Sequence, residues 1–380
     1  MTMLRWGMVG GGEGSQIGPA HRLAARLDGL FRFEAGALDH VAERGRDFGA
    51  RLGLRPERAY GDWREMLEGE RERGDDRLDL VTVATPNNTH RAIALAFLRA
   101  GFDVLLEKPM TTTVAEGEEL VAAAREAGRI LAVNYGYTGY PLVRHMRAMV
   151  ARGDLGRIRL VVAEFAHGHH ANEAEADNPR IRWRYDPAQM GISAQFADCG
   201  IHAAHMARFV LGSPIERVSA DFVSGIASRT LEDDAQANLR FANGAAGRLW
   251  TSAIAAGHMH GLRIEVFGDR GGMAWAQEQP NQLHFTPVGG RTTIIERGEA
   301  GLSPEHDRAT RVTIGHAEGM TLAFANIYAD LAEQITARKL EREADPAAML
   351  APTAEEGLES VRLIAAAVES AGNDGAWVSV

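Results

Sequence analysis

Between residues 4 and 133, short apolar runs alternate with longer amphipathic ones, and no other feature constrains the fold as much. Residues 4–9, 31–38, 78–84, 104–106 and 130–133 read as strands. Residues 19–27, 41–52, 89–100 and 113–127 read as helices. The joints agree with this reading. Pro19 suits a first helical position, Gly101 and Gly128 suit helix stops, and Thr113 with Glu116 reads as a capping box. Strands joined through helices at this spacing need crossover connections, so the expected sheet is parallel with helices on both faces.

After about residue 135 the pattern changes. Residues 157–165, 217–223, 235–241, 245–253 and 263–268 read as longer strands, with turn signals such as Ala242-Asn243-Gly244 between them. Successive strands without helices imply a second, mainly antiparallel sheet. Residues 282–315 read as polar and irregular, and helices are expected at 321–337 and 353–370. The fold class is α/β, with one domain expected over 1–135 and another over 136–380. The last helix is in position to pack back on the first domain.

The balance of 41 basic and 51 acidic residues, a net charge of −10, argues against a nucleic-acid or anionic-membrane partner. The single cysteine, Cys199, excludes a disulfide framework and a cysteine-rich zinc site. No apolar stretch reaches the roughly 18 residues that span a bilayer. The opening residues, from Met1 to Gly7, lack a separate apolar signal region, so a cytoplasmic protein is expected.

Val9-Gly10-Gly11-Gly12-Glu13-Gly14-Ser15 lies between the first strand and the first helix. In that context Gly10 permits a tight turn, Gly12 lets backbone approach a pyrophosphate, and the helix N-terminus faces the phosphates. Ser15 stands where a third glycine is expected, and Gly14 and Gly18 bracket a longer turn. Asp39 closes the second strand, where a carboxylate accepts bonds from a ribose 2′-hydroxyl and repels a 2′-phosphate. NAD is therefore favoured, while His40 and Arg44 beside Asp39 leave NADP open. Asp39 also suits a helix N-cap.

The third strand runs into Thr85-Pro86-Asn87-Asn88-Thr89-His90. Thr85, Asn87 and His90 read either as cofactor contacts or as turn and cap residues. The fourth strand runs into Glu107-Lys108-Pro109, which sets Lys108 at the carboxyl end of a strand, where open α/β sheets bind ligands. There it can stabilise a developing alkoxide; the alternative is a surface ion pair with Glu107. Asp198-Cys199-Gly200-Ile201-His202 puts a carboxylate and an imidazole on one helical face, a plausible general base near neutral pH. An N-cap and an ordinary histidine are the alternative. Asp198 and His202 with His167, His169, His170, His205 and Glu164 could also suggest a metal, but a strand before His167 would scatter those side chains over both faces, so no metal is expected.

Together, the turn at 10–15, Thr85-Pro86-Asn87 with His90, Glu107-Lys108-Pro109 and Asp198 with His202 resemble the glucose–fructose oxidoreductase / inositol dehydrogenase / MocA family. Pro352-Thr353-Ala354-Glu355-Glu356-Gly357 is similar to that family's C-terminal signature, so the resemblance covers nearly the whole chain. It implies an N-terminal Rossmann domain and a C-terminal α/β domain whose large, open, mainly antiparallel sheet serves a homodimer or homotetramer. It implies catalysis by Lys108, Asp198 and His202. Cofactor contacts would come from Gly10, Gly12, Gly14, Ser15, Gln16, Ile17, Asp39, His40, Thr85, Asn87, His90, Glu107, Lys108, Asn134, Trp183 and Arg184. Substrate contacts would come from Lys108, Tyr137, Arg184, Asp198 and His202, with Tyr137 replacing a common arginine and suggesting stacking on a sugar face. The implied activity is hydride transfer between a nicotinamide and a secondary hydroxyl of a sugar, cyclitol or glycoside. The Gly-Ser-x-Ile-Gly stretch at 14–18 resembles a subgroup acting on pyranosides or anhydrosugars, such as levoglucosan dehydrogenase. NAD-dependent glycoside cleavage and a non-catalytic NAD sensor are the alternatives; the complete Lys108, Asp198 and His202 set argues against the sensor.

Overall fold

The computed structural model describes residues 3–380, apart from the side chains of Pro179 and Arg180; Met1 and Thr2, which open the N-terminal stretch read above, lie outside it. The chain begins with β1 (Leu4–Gly10), α1 (Gly18–Leu27), β2 (Phe31–Ala37), α2 (Ala42–Arg51), α3 (Trp63–Arg71), β3 (Leu80–Ala84), α4 (His90–Arg99), β4 (Asp103–Leu106), α5 (Val114–Ala127) and β5 (Leu131–Val133). It continues through α6 (Pro141–Arg152), β6 (Ile158–Ala166), α7 (Pro179–Arg182), α8 (Pro187–Met190), α9 (Ile201–Leu211), β7 (Ile215–Val223), β8 (Asp234–Phe241), β9 (Ala246–Ser252) and β10 (Gly261–Gly268). Then come β11 (Gly271–Ala276), β12 (Gln282–Pro287), β13 (Thr293–Glu296), α10 (Pro304–Ala309), α11 (Met320–Lys339), α12 (Ala354–Ala371) and β14 (Val378–Ser379).

Two compact units emerge. The first takes the residues up to Thr111, Ala115–Gly139 and Met320–Leu358. Its sheet is parallel, in the order β2-β1-β3-β4-β5. Trp6, Met8, Val81, Val83, Val104 and Leu106 are buried along its strands, as expected where helices cover both faces. The helix α11 packs on α1, and its Phe324, Ile327, Tyr328, Leu331 and Ile335 join Trp6, Ala24 and Phe31 in one core. A polar thread runs through this core. Trp6 Nε1 donates to Thr82 Oγ1 (2.9 Å), Thr82 Oγ1 meets the Tyr328 hydroxyl (2.9 Å), and that hydroxyl meets His21 Nδ1 (2.8 Å). The division therefore differs from a cut at 135. Residues far along the chain complete the first unit, because its inner apolar surface needs α11.

The second unit takes Thr112–Val114, Tyr140–Gly319 and Glu359–Val380. Its nine strands run β13-β12-β11-β10-β6-β9-β8-β7-β14, antiparallel throughout except for the β6–β9 pair. The helix α9 packs on β6 and β10, and α6 packs on α9. Inward residues such as Ala163, Phe165, Leu249, Ile264 and Val266 are buried. Their alternates Glu164, Arg248, Trp250, Arg263 and Glu265 remain at least partly exposed.

Several elements depart from the sequence reading, β11, β14, α7 and α8 among them. The stretch 282–315 holds β12, β13 and α10 rather than irregular chain. The edge strand β13 and its neighbour β12 stay partly exposed, so they lack the apolar alternation of inner strands. The reading also had no helix at α3 or α6. The first carries five charged residues in nine and is set by Asp62, whose carboxylate accepts from the N–H groups of Arg64 and Glu65. The second begins with Pro141 and buries Leu142, Val143, Met146 and Met149.

Candidate active site

The glycine turn leaves β1 at Gly10, whose φ of +78° favours glycine. A Cβ there would lie 2.3 Å from the Ala84 carbonyl oxygen; at Gly12 it would lie 2.2 Å from that of Leu38, and at Gly18 2.0 Å from that of Gly11. These positions press the turn against the ends of neighbouring strands. Gly14 differs. It is exposed, has φ +79°, and a Cβ would meet nothing within 4 Å, so backbone here is open to a ligand. Ser15 Oγ accepts from the Gly18 N–H (3.0 Å), so the residue at the third-glycine position ties the turn to the first residue of α1. Gln16 is exposed and Ile17 half-buried. After β2, Asp39 Oδ1 accepts from Val41 N–H and from Arg44 Nη2, each at 2.8 Å, and lies 3.3 Å from His40 Nδ1. Burial pushes the Asp39 carboxyl up, but Arg44 and the Val41 N–H outweigh it and hold it below the usual range. A cradle that side chains would fill and an anionic acceptor at the end of β2 fit the pyrophosphate and ribose diol of NAD.

Glu107 is buried, and its work is internal. Its Oε1 lies 2.9 Å from His21 Nε2 and accepts from Asn134 Nδ2 at 2.6 Å, while Oε2 accepts from Lys108 N–H at 3.2 Å. Burial pushes its pKa up; His21, the Lys108 charge and Asn134 outweigh that and hold it down to about 2. Glu107 and Asn134 were expected to contact a cofactor, but both side chains pin the exit of β4 to α1 and to the exit of β5. A surface pairing does not describe it, because the carboxylate is buried; Lys108 follows it half-buried, and its charge helps hold Glu107 ionised.

His90 is a second departure. Its ring is fully buried, with Nδ1 2.9 Å from the Pro109 carbonyl and Nε2 2.9 Å from that of Thr85. Burial holds its pKa below the ordinary value. The ring ties the turn after β3 to the turn after β4, leaving no ring nitrogen for a cofactor. Thr85 Oγ1 accepts from Thr89 Oγ1 (2.7 Å), and Asn87 is buried at the start of the following 3₁₀ turn. Tyr137, expected to stack on a sugar, is only 8% exposed within the 3₁₀ turn Gly136–Gly139.

In the second unit a π-helical turn, Phe196–Gly200, leads into α9 and carries Asp198, with His202 one turn on. Such turns recur at functional sites. Asp198 Oδ2 lies 3.8 Å from Arg184 Nε, and the Arg184 guanidinium sits 4.5 Å from the Trp183 ring centre. His202 is buried, its ring 5.9 Å from that of Phe165. The histidines expected to scatter instead converge, because β6 stops at Ala166 and they lie in the loop beyond it. His167 stacks on His260 at 5.0 Å and 15°; His169 lies 4.6 Å from His260, and His170 lies 5.4 Å from His167. Burial, then the neighbouring imidazoles, hold His167 down to about 3; burial, then Arg184 and Arg229, hold His170 down to about 4. These rings are neutral near pH 7 and offer uncharged donors and acceptors, the chemistry that recognises hydroxyls. The Asp198 charge acts on His167, His170 and His260 together. Glu164 lies apart, 4.0 Å from Arg263, and His205 stacks on Phe209 within α9. Among the described residues no group of three or more His, Cys, Asp or Glu is arranged to hold a metal ion.

His260 was absent from the sequence reading. His258-Met259-His260 before a strand was the available signal, and its backbone φ of +60° marks a turn that local pattern does not reveal.

Comparisons with known proteins accord with these two halves. Residues 4–135 match the oxidoreductase family with an NAD-binding Rossmann fold, and residues 143–274 match the GFO/IDH/MocA C-terminal domain. The chain is 40% identical to an inositol dehydrogenase homolog of Azotobacter vinelandii. The match covers 100% of this chain and 98% of that one, with a TM-score of 0.94 to its NAD+ complex and 0.92 to its complex with NADH and myo-inositol. It is 38% identical over 379 residues to an uncharacterized oxidoreductase, YfiI, of Bacillus subtilis, covering 99% of this chain and 96% of that protein. Levoglucosan dehydrogenase of Pseudarthrobacter phenanthrenivorans is 26% identical over 317 residues, or 74% of this chain and 76% of that protein.

Proposed function

The chain belongs to the GFO/IDH/MocA family of NAD-binding oxidoreductases, and on that premise we propose that it oxidises a secondary hydroxyl of a cyclitol, sugar or glycoside. The observation that carries this reading is the pair His167 and His170, held neutral near pH 7 under the Asp198 charge, in a chain 40% identical throughout its length to a protein whose structure holds NADH and myo-inositol. Uncharged imidazoles with one carboxylate suit a neutral polyol better than an anionic substrate.

NAD+, when bound, supplies the hydride acceptor. His202 takes the hydroxyl proton on an imidazole nitrogen. Asp198 orients that imidazole or accepts from a neighbouring hydroxyl. Lys108 supplies positive charge for the reacting oxygen. Arg184, set on Trp183 and near Asp198, binds the substrate. Ionised Asp39 supports NAD over NADP. The partly exposed sheet face with Glu164, Trp250, Arg263 and Glu265 is assigned to a second copy of the chain, as a homodimer or homotetramer, which light scattering tests. Among the described residues no helix is long and apolar enough to cross a membrane.

The test follows NADH formation with myo-inositol, levoglucosan and a polyol panel, using NAD+ and NADP+. Turnover with NAD+, lost by about 10²- to 10⁴-fold in His202→Ala with NAD+ affinity retained, is the expected result. No turnover with any polyol sinks the substrate class, and cleavage of a glycoside instead indicates oxidation followed by elimination. Unchanged turnover in His202→Ala removes the base assignment.

A further inference from the structure

Glu232 lies between β7 and β8, outside every motif read from the sequence, yet it is buried at 6% exposure. Its Oε1 accepts from Ser193 Oγ at 2.6 Å, Ala194 N–H at 2.9 Å and Phe196 N–H at 3.0 Å. Those donors open the helical segment that carries Asp198. The bonding then passes inward. Ser193 Oγ accepts from the Ala197 N–H (3.2 Å), and the Ala194 carbonyl accepts from the Asp198 N–H (2.8 Å). Gln195 Nε2 donates to Thr251 Oγ1 (2.9 Å), which donates to the Phe165 carbonyl (2.9 Å), fixing the same segment to β9 and β6. The first N–H groups of a helix have no partner within it, so one buried carboxylate here meets a need usually left to a small N-cap side chain or water. A carboxyl oxygen with two lone pairs suits converging donors.

The loop that presents Glu232 is itself held. Asp233 accepts from the N–H groups of Gly225 (2.8 Å) and Ile226 (3.1 Å) and pairs with Arg229 at 2.8 Å. Arg229 Nη2 donates to the His170 carbonyl (2.6 Å), and Thr230 Oγ1 donates to the Tyr185 carbonyl (2.7 Å). One loop thus orders the histidine loop, the segment after Arg184 and the turn before Asp198.

We infer that Glu232 is a positioning residue: through Ser193, Ala194 and Phe196 it fixes the π-helical turn and so sets where Asp198 and His202 stand. The inference rests on the reading of Asp198 and His202 as the proton-handling pair. It acts through geometry, and a misplacement of about 1 Å at reacting groups costs about 10²-fold in rate.

Three readouts on the full chain test it: hydrogen–deuterium exchange across residues 192–206, the NMR titration midpoint of His202, and NAD+ reduction with myo-inositol. For Glu232→Ala the inference expects exchange in that segment to rise about 10-fold or more while the first unit's sheet stays protected. It also expects a displaced His202 midpoint and a kcat lowered about 10²-fold with KM for NAD+ unchanged. Glu232→Gln, which keeps an acceptor oxygen, restores most of the kcat. Unchanged exchange, or faster exchange with the His202 midpoint unmoved, overturns the inference. So does a loss of activity that only tracks a loss of folded protein. Should Glu232→Ala fail to fold, Ser193→Ala decides: a displaced His202 midpoint at near-native thermal stability supports the inference, and an unmoved one overturns it. If wild-type protein reduces no NAD+ with myo-inositol or any polyol, the substrate reading fails alone, since exchange and the His202 titration still judge Glu232.

Discussion

At the scale of single residues, Glu107 is a buried electrostatic commitment of the first unit. The sequence showed a glutamate beside a lysine, and surface pairing was the simple alternative. The structure instead buries the carboxylate between His21 and Asn134. Its pKa is held at about 2, below an ordinary glutamate near 4.3, so the ionised form belongs to the folded state. A depressed carboxyl contributes stability that is full above the unfolded value and disappears as pH falls through the folded one. Near pH 7 this amounts to on the order of 3 kcal/mol, falling to about half that near pH 3. Glu107→Gln is therefore expected to be less stable than wild type at pH 7, with the gap narrowing in acid. Denaturant unfolding from pH 7 to 3 checks this, and a gap of constant size rules out the ionised buried carboxylate.

At the scale of elements, local chemistry explains what the sequence made legible. Strands and helices of the first half are marked by their own apolar spacing, and turns by their glycines. At the start of α12, Thr353 Oγ1 accepts from the Glu356 N–H and Glu356 Oε2 accepts from the Thr353 N–H, a capping box closed within four residues. The site was legible only in part. Lys108, Asp198 and the glycine turn sit in signals a few residues long. The inward turn of Glu107, the ring of His90 between two carbonyls, the gathering of His167 with His260 and the cap from Glu232 all depend on residues distant in sequence. The seat of α11 shows the same limit. Gly136 and Gly139 look like turn glycines, but a Cβ on Gly136 would meet the Phe324 ring at 2.0 Å, and one on Gly139 would meet the Ala323 carbonyl oxygen at 2.0 Å. A ring can shift, whereas a helix carbonyl moves only with its helix. Both alanine variants are expected to be destabilised, by about 1–3 kcal/mol for Gly136→Ala and by more for Gly139→Ala. Denaturation midpoints test the order, and equal losses would show that α11 is free to adjust as a body.

At the scale of the whole molecule, the parallel sheet is complete by Val133, yet the unit that contains it is not. Its core includes Phe324, Ile327, Tyr328, Leu331 and Ile335, all from α11. Burying a side chain of this kind contributes about 1.5–3 kcal/mol, so together they supply roughly 8–15 kcal/mol, an upper estimate because unfolded chains already bury some surface. That matches the whole stability of an ordinary domain, about 5–15 kcal/mol. The Tyr328 hydroxyl also joins His21 to Thr82, so losing α11 leaves buried polar groups without their partner. A fragment of residues 1–139 holds every strand of the sheet and the whole glycine turn, but it is expected to be unfolded and to bind no NAD+. A second fragment, in which residues 320–358 are linked after residue 139, is expected to fold and to regain NAD+ binding. Circular dichroism and calorimetric titration with NAD+ compare the two. If the shorter fragment folds and binds NAD+ as the longer one does, α11 is an accessory to the nucleotide unit and not part of its core.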